Sequence, residues 1–165
     1  LITRTARLLL VAGIGLFYTL VVFNNLTDFD SNYEFVHHVL SMDSTFPGNH
    51  GMWRAIPSPS LQLVFYISII AWEFVTTVLL WLGAWHLFGA LRQTAASFNA
   101  AKRTAIMALT LSLLMWLVAF LSVGAEWFLM WQSPTWNGQE AAFRMFVVVG
   151  IVLLILLQGE TETQP

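Results

Sequence analysis

"LQLVFYISIIAWEFVTTVLLWLGAWHLF", residues 61–88, runs for 28 residues with one charged side chain, Glu73. At 1.5 Å per residue this is roughly 42 Å of helix, more than the ~30 Å of a bilayer's hydrocarbon core. The segment is therefore predicted to span a membrane and to tilt or project beyond it. Glu73 falls twelve residues past Leu61, about 18 Å along the helix and close to the bilayer midplane. A carboxylate at that depth is costly unless it is protonated, paired or in a wet cavity, and it marks a functional position by default. It is predicted to face the interior of a helix bundle. Two roles stay open: an acid hydrogen-bonded to a neighbouring helix, or the protonatable site of a proton-coupled carrier.

Working outward, three more stretches are long and apolar enough to cross: 7–26, 105–130 and 141–158. Their short connections make sequential neighbours antiparallel, which predicts an all-α membrane protein, a four-helix bundle forming one domain over 1–165. Composition agrees, because a mean hydropathy of +0.71 with 10% charged residues lies far outside soluble averages. The chain has no cysteine, which excludes disulfides, thiolate metal sites and thiol redox chemistry. Its seven Lys and Arg residues are dispersed and leave no nucleic-acid footprint. The first apolar run ends in "FNNLTDFD" without a small-residue cleavage site, so it is read as an uncleaved span rather than a signal peptide.

Basic residues set the expected orientation. Arg4, Arg7, Arg92, Lys102 and Arg103 flank one side of the spans, and Arg54 and Arg144 the other. The positive-inside rule then places both termini in the cytoplasm and residues 27–60 outside, as a periplasmic cap. Trp53, Trp127, Trp131 and Trp136 are expected to form an outer aromatic belt, with Trp81 and Trp85 near the inner interface. The terminal "GETETQP" is polar and expected to fray.

The cap, "TDFDSNYEFVHHVLSMDSTFPGNHGMWRAI" over 27–56, holds all three aspartates and three of the four histidines. Ser31 with Glu34 has capping-box spacing and predicts a short helix from Asn32, amphipathic through Phe35, Val36, Val39 and Leu40. Pro47 and Gly48 end that stretch, and Ser58 followed by Pro59 reads as the start of the second span. Glu34 and His38, four apart, share one face of the short helix. With His50 they offer a carboxylate and two imidazoles, a set suited to zinc, copper or iron, and Asp28, Asp30 and Asp43 lie nearby in sequence. His37 is offset by about 100° from His38 and is not expected to share an ion with it. Against the metal reading, a wet loop collects ionisable residues simply because water solvates them.

Glu126 lies five residues before Trp131, and Arg144 enters the fourth span at a comparable depth. An ion pair between them across the third and fourth spans is expected, since each is otherwise an isolated charge in a low-dielectric region. Arg54 is the alternative partner. His86 lies near a helix end without a matched second axial ligand, so haem is not indicated.

The strings "NNLTDFDSNYEFVHHVLSMDSTFPGN" (24–49), "WRAI" (53–56), "WEF" (72–74) and "VGAEWFLMWQSPTWNGQEAAFR" (123–144) resemble a bacterial family of predicted small integral membrane proteins, domain of unknown function 2165. The resemblance covers nearly the whole chain. It implies a four-span protein of a bacterial inner membrane and carries no catalytic residue. Three functions are consistent with the residues: a non-catalytic accessory or assembly subunit of a larger respiratory or dehydrogenase-type membrane complex, or of a homo-oligomer; a metal-binding enzyme or metal-handling protein using the cap; and a proton carrier using Glu73.

Overall fold

The computed structural model describes residues 1–160. Its helices are α1 (Ile2–Thr27), α2 (Phe29–Ser41), α3 (Pro59–Ala90), α4 (Ala95–Ala101), α5 (Arg103–Leu114) and α6 (Gln139–Leu157). A π-helix over Met115–Trp127 continues α5 directly. Four rods are long and apolar enough to cross a membrane: α1, α3, the run from α4 through the π-helix, and α6. The all-α bundle expected from the sequence is what forms.

The rods pack in a ring. α1 lies on α3 and α6, α3 on α5, and the third rod on α6. Every fourth or third residue of α3 is buried, from Gln62 and Tyr66 through Ile70, Glu73 and Thr76 to Leu80, Gly83 and Leu87. That spacing is one face of a 3.6-residue helix. The lower half of the face is dry: Leu80 and Leu87 meet Val11, Ile14, Leu109 and Phe98. Close approach there depends on Gly83, where a Cβ would lie 2.8 Å from the backbone and Cβ of Ala105. Small residues let membrane helices pack by dispersion where no hydrophobic drive operates between them.

α2 is the cap helix, lying over the bundle end with Val36, Val39 and Leu40 packed on Tyr66, Ile70, Phe128 and Met130. It begins earlier than the capping-box spacing predicts. Asp28 is its N-cap residue, and no side-chain cap bond forms there. α1 ends at Thr27, so the chain turns within one residue and α2 starts at once. Met42, left-handed at φ 55°, closes the helix, and Gly48 at φ 76° follows Pro47 in the next turn. The Ser58–Pro59 start of α3 is as expected.

At the opposite end, Glu160 and nearby Gln158 are tied to α1 and to the junction of α4 and α5. Arg4 Nε lies 2.5 Å and Arg7 Nη1 2.8 Å from its carboxylate. Asn99 Nδ2 donates to its carbonyl, and Lys102 Nζ donates to the carbonyl of Gln158. Within the tail expected to fray, Glu160 is thus held fast, while 161–165 lie outside the described residues.

Candidate functional site

Two polar constellations stand apart from the apolar packing. The first is inside the bundle. Glu73 is 3% exposed, and its Oε2 accepts from Asn25 Nδ2 at 2.6 Å. The Tyr66 hydroxyl donates to the Asn25 carbonyl at 3.3 Å and lies 3.4 Å from its Oδ1. Asn25 is two residues from the end of α1, while Tyr66 and Glu73 are seven apart on α3 and share its inner face. One asparagine therefore ties the end of one span to two turns of the next. Farther from the cap, Tyr18 and Ser112 hydroxyls meet at 2.6 Å and join α1 to α5.

The second constellation lies on the cap. Gln62, fully buried, donates from Nε2 to the Ile56 carbonyl at 2.7 Å. Its Oε1 must then be the acceptor, and it takes bonds from Tyr33 Oη at 3.3 Å and His37 Nδ1 at 2.7 Å. His37 thus carries its proton on Nδ1 and presents a lone pair on Nε2. His38 stacks on Trp136, ring centroids 4.5 Å apart. Its Nδ1 lies 2.7 Å from Asp43 Oδ2, and its Nε2 lies 3.4 Å from Glu34 Oε2. Ligand-type atoms of His37, His38 and Asp43 all fall within 4.8 Å of one another. Two imidazoles and one carboxylate are a donor set that leaves open positions on a transition metal. Each imidazole also has an oxygen beside a ring nitrogen, Gln62 for His37 and Glu34 for His38, as outer partners of metal-bound histidines do.

The geometry of both constellations falls within one stretch of matched sequence: the model of the family "predicted small integral membrane protein (DUF2165)" matches residues 3–159. The chain belongs to this family. The matched residues take in the helices from the second residue of α1 through α6 and every side chain just described. No curated protein and no solved structure matches the chain. The family supplies an integral membrane protein in contact with lipid, and the site chemistry rests on the geometry alone.

Several expected placements change. Of Glu34, His38 and His50, the first two lie side by side, but His50 is exposed on the turn beyond Gly48 and outside the cluster. His37 and Asp43 take its place. The 100° offset of adjacent helical residues does not keep the two rings apart, because their side chains converge to a centroid distance of 5.1 Å. The left-handed Met42 turns the chain back and brings Asp43 beside the helix end.

The expected Glu126–Arg144 pair does not form. Glu126 is exposed on the π-helix, and Arg144 Nη2 bonds Glu140 Oε1 at 3.2 Å, one turn earlier on α6. Both members of that pair face outward, 68% and 90% exposed. Neither charge needed a partner across the bundle, since neither side chain enters it. Arg54 is not a partner for Glu126 either; it donates to the carbonyl of Trp127. Trp136, expected in the outer belt, instead turns inward against His38 and Phe35, whereas Trp53, Trp127 and Trp131 are exposed.

Asn25, Gln62 and Tyr66 escaped the sequence reading. A signal for two of them was present: Gln62, Tyr66 and Glu73 stand at helical spacing on one face of an otherwise apolar span.

Proposed function

We propose that the protein is a membrane-embedded metal-binding protein, holding a divalent transition ion on its cap through His37, His38 and Asp43. The observation that carries this reading is the convergence of those three side chains, within 4.8 Å, on an ordered helix end. Gln62 orients His37 through a fixed Nδ1 hydrogen bond, and Glu34 stands as outer partner to His38. An ion would replace the close His38–Asp43 contact, taking His37 through Nε2, His38 through Nδ1 and Asp43 through a carboxylate oxygen. Zinc and iron(II) suit that set, and water would fill the remaining positions. By the positive-inside rule the ion would sit on the periplasmic side of an inner membrane.

Metal content of the purified protein, measured after reconstitution with zinc or iron(II) and desalting, tests the reading. About one equivalent is expected in the wild type and in His50→Ala. The double change His37→Ala with His38→Ala should lower affinity by at least about 10–100-fold while the helical circular dichroism stays constant. Equal metal in the wild type and the double variant, or none in either, would overturn it.

A second reading, an accessory subunit of a larger membrane assembly, is favoured by the exposed Phe46, Met52, Trp53 and Trp131 around the same cap. Aromatic and methionine side chains are enriched where proteins dock. Gentle extraction followed by mass spectrometry should then recover a stoichiometric partner; a solitary chain would remove this reading.

A further inference from the structure

A cavity of about 260 Å³ lies beneath the cap helix, between α3 and the π-helix. Phe35 and Val39 of α2 roof it, Phe65 and Trp72 of α3 form one wall, and Phe120 and Val123 of the π-helix form the other. Its lining is apolar except for Ser68, whose hydroxyl is turned back to the Val64 carbonyl. Phe65, Val118 and Val123 are also exposed on the bundle's flank, so the cavity is continuous with the surface that meets lipid. Trp72 braces the wall by donating from its indole to the Leu111 carbonyl. An apolar cleft of this kind does not hold water well and loses dispersion contacts if empty.

The second observation is a cation, Arg54, outside the lining but tied through its hydrogen bond and a near backbone neighbour to residues that border the cleft. Arg54 lies beside two indoles that meet edge to face, its guanidinium carbon 5.3 Å from the Trp53 ring and 5.0 Å from the Trp127 ring. It donates to the Trp127 carbonyl, next in sequence to Phe128 of the lining. Two residues on, Ile56 donates to the carbonyl of Leu40, also a lining residue. Arg54 makes no salt bridge among the described residues, and its Nε is buried without a hydrogen-bond partner. That N–H is enclosed by protein, so an anion would meet the terminal guanidinium nitrogens, where the bond to the Trp127 carbonyl is exposed. Tryptophans mark the level of lipid headgroups, where phosphates lie, and arginine is the side chain best shaped to hold a phosphate.

We propose that this cleft is a phospholipid site, with one acyl chain between α3 and the π-helix under α2 and the lipid phosphate on Arg54. The occupant comes from the surrounding bilayer, which supplies both the tail that the cleft fits and the anion that Arg54 lacks. The site is independent of the metal cluster, since His37, His38 and Asp43 are not part of the cavity lining.

The test is native mass spectrometry of the delipidated full chain titrated with phosphatidylglycerol and, separately, with a diacylglycerol of the same acyl chains. For the wild type, phosphatidylglycerol should bind at one per chain and at least about tenfold more tightly than the diacylglycerol, a difference of one charge-assisted phosphate contact. Arg54→Gln should erase that preference. Ser68→Phe, which fills the cleft from a wall position, should weaken both lipids. Equal binding of the two lipids by the wild type would overturn the proposal, as would a self-associated chain whose cross-links pass through Phe65 and Val123. The first of these outcomes needs no variant to fold.

Discussion

Asn25 decides how Glu73 is tolerated. Its amide donates to the carboxyl, and its own oxygens lie within reach of the Tyr66 hydroxyl, so three buried polar groups satisfy one another away from water. Glutamine at position 73 would keep an acceptor oxygen for Asn25, whereas leucine would strand the amide. Glu73→Gln is therefore expected to leave the thermal midpoint in detergent nearly unchanged. Glu73→Leu should lose about 1–3 kcal/mol, the cost of one buried polar group without a partner. If both variants melt together, the Asn25 bond is not what holds the acid.

At the scale of elements, the contact between α3 and α5 sets how tightly the bundle closes. Gly83 has room for no Cβ, because Ala105 backbone and side-chain atoms lie 2.8 Å from where it would stand. Neither helix can yield without moving its neighbours, so Gly83→Ala should destabilise by about 1–3 kcal/mol through overpacking. Gly13, with nothing within 4 Å of an added Cβ, is the matched control. Gly13→Ala should be neutral or slightly stabilising, since alanine is the better helix former. Paired melting curves in one detergent check both, and equal shifts would mean that α3 and α5 are not in fixed contact.

The whole molecule has a polar cap at one end and a charge cluster at the other. Arg4 and Arg7 share the Glu160 carboxylate, so two of the five basic residues that set the expected orientation are paired within the fold. The positive-inside rule counts basic residues rather than net charge, so the five-to-two distribution predicts cytoplasmic termini all the same. Cysteine placed at exposed His50 on the cap or at exposed Ala96 on α4 reports the answer directly. An impermeant thiol reagent on intact spheroplasts should label the first and spare the second. The opposite pattern would put the His37, His38 and Asp43 cluster on the cytoplasmic side.

Length and hydropathy by themselves determined four membrane-crossing helices, because a bilayer demands about 20 apolar residues per span and the chain supplies four such runs. They also determined that α2 packs by its apolar face and that Glu73 points inward, since both follow from helical periodicity. The π-helix was not legible: its wider turn leaves no mark in a run that is apolar on every side. Nor were the pairings. Glu126 and Arg144 have similar depth in sequence, yet rotation about their helix axes turns both outward, and depth carries no information about rotation. His50 gave way to His37 and Asp43 because the path of the turns after α2, which spacing does not specify, carries His50 away and brings Asp43 back. Which side chains meet depends on the left-handed turn at Met42, on Trp136 folding over His38, and on Gln62 reaching up from α3. The turn at Met42 is a local backbone conformation that composition does not reveal, whereas the Trp136 and Gln62 contacts join elements distant in sequence and only tertiary packing brings those together.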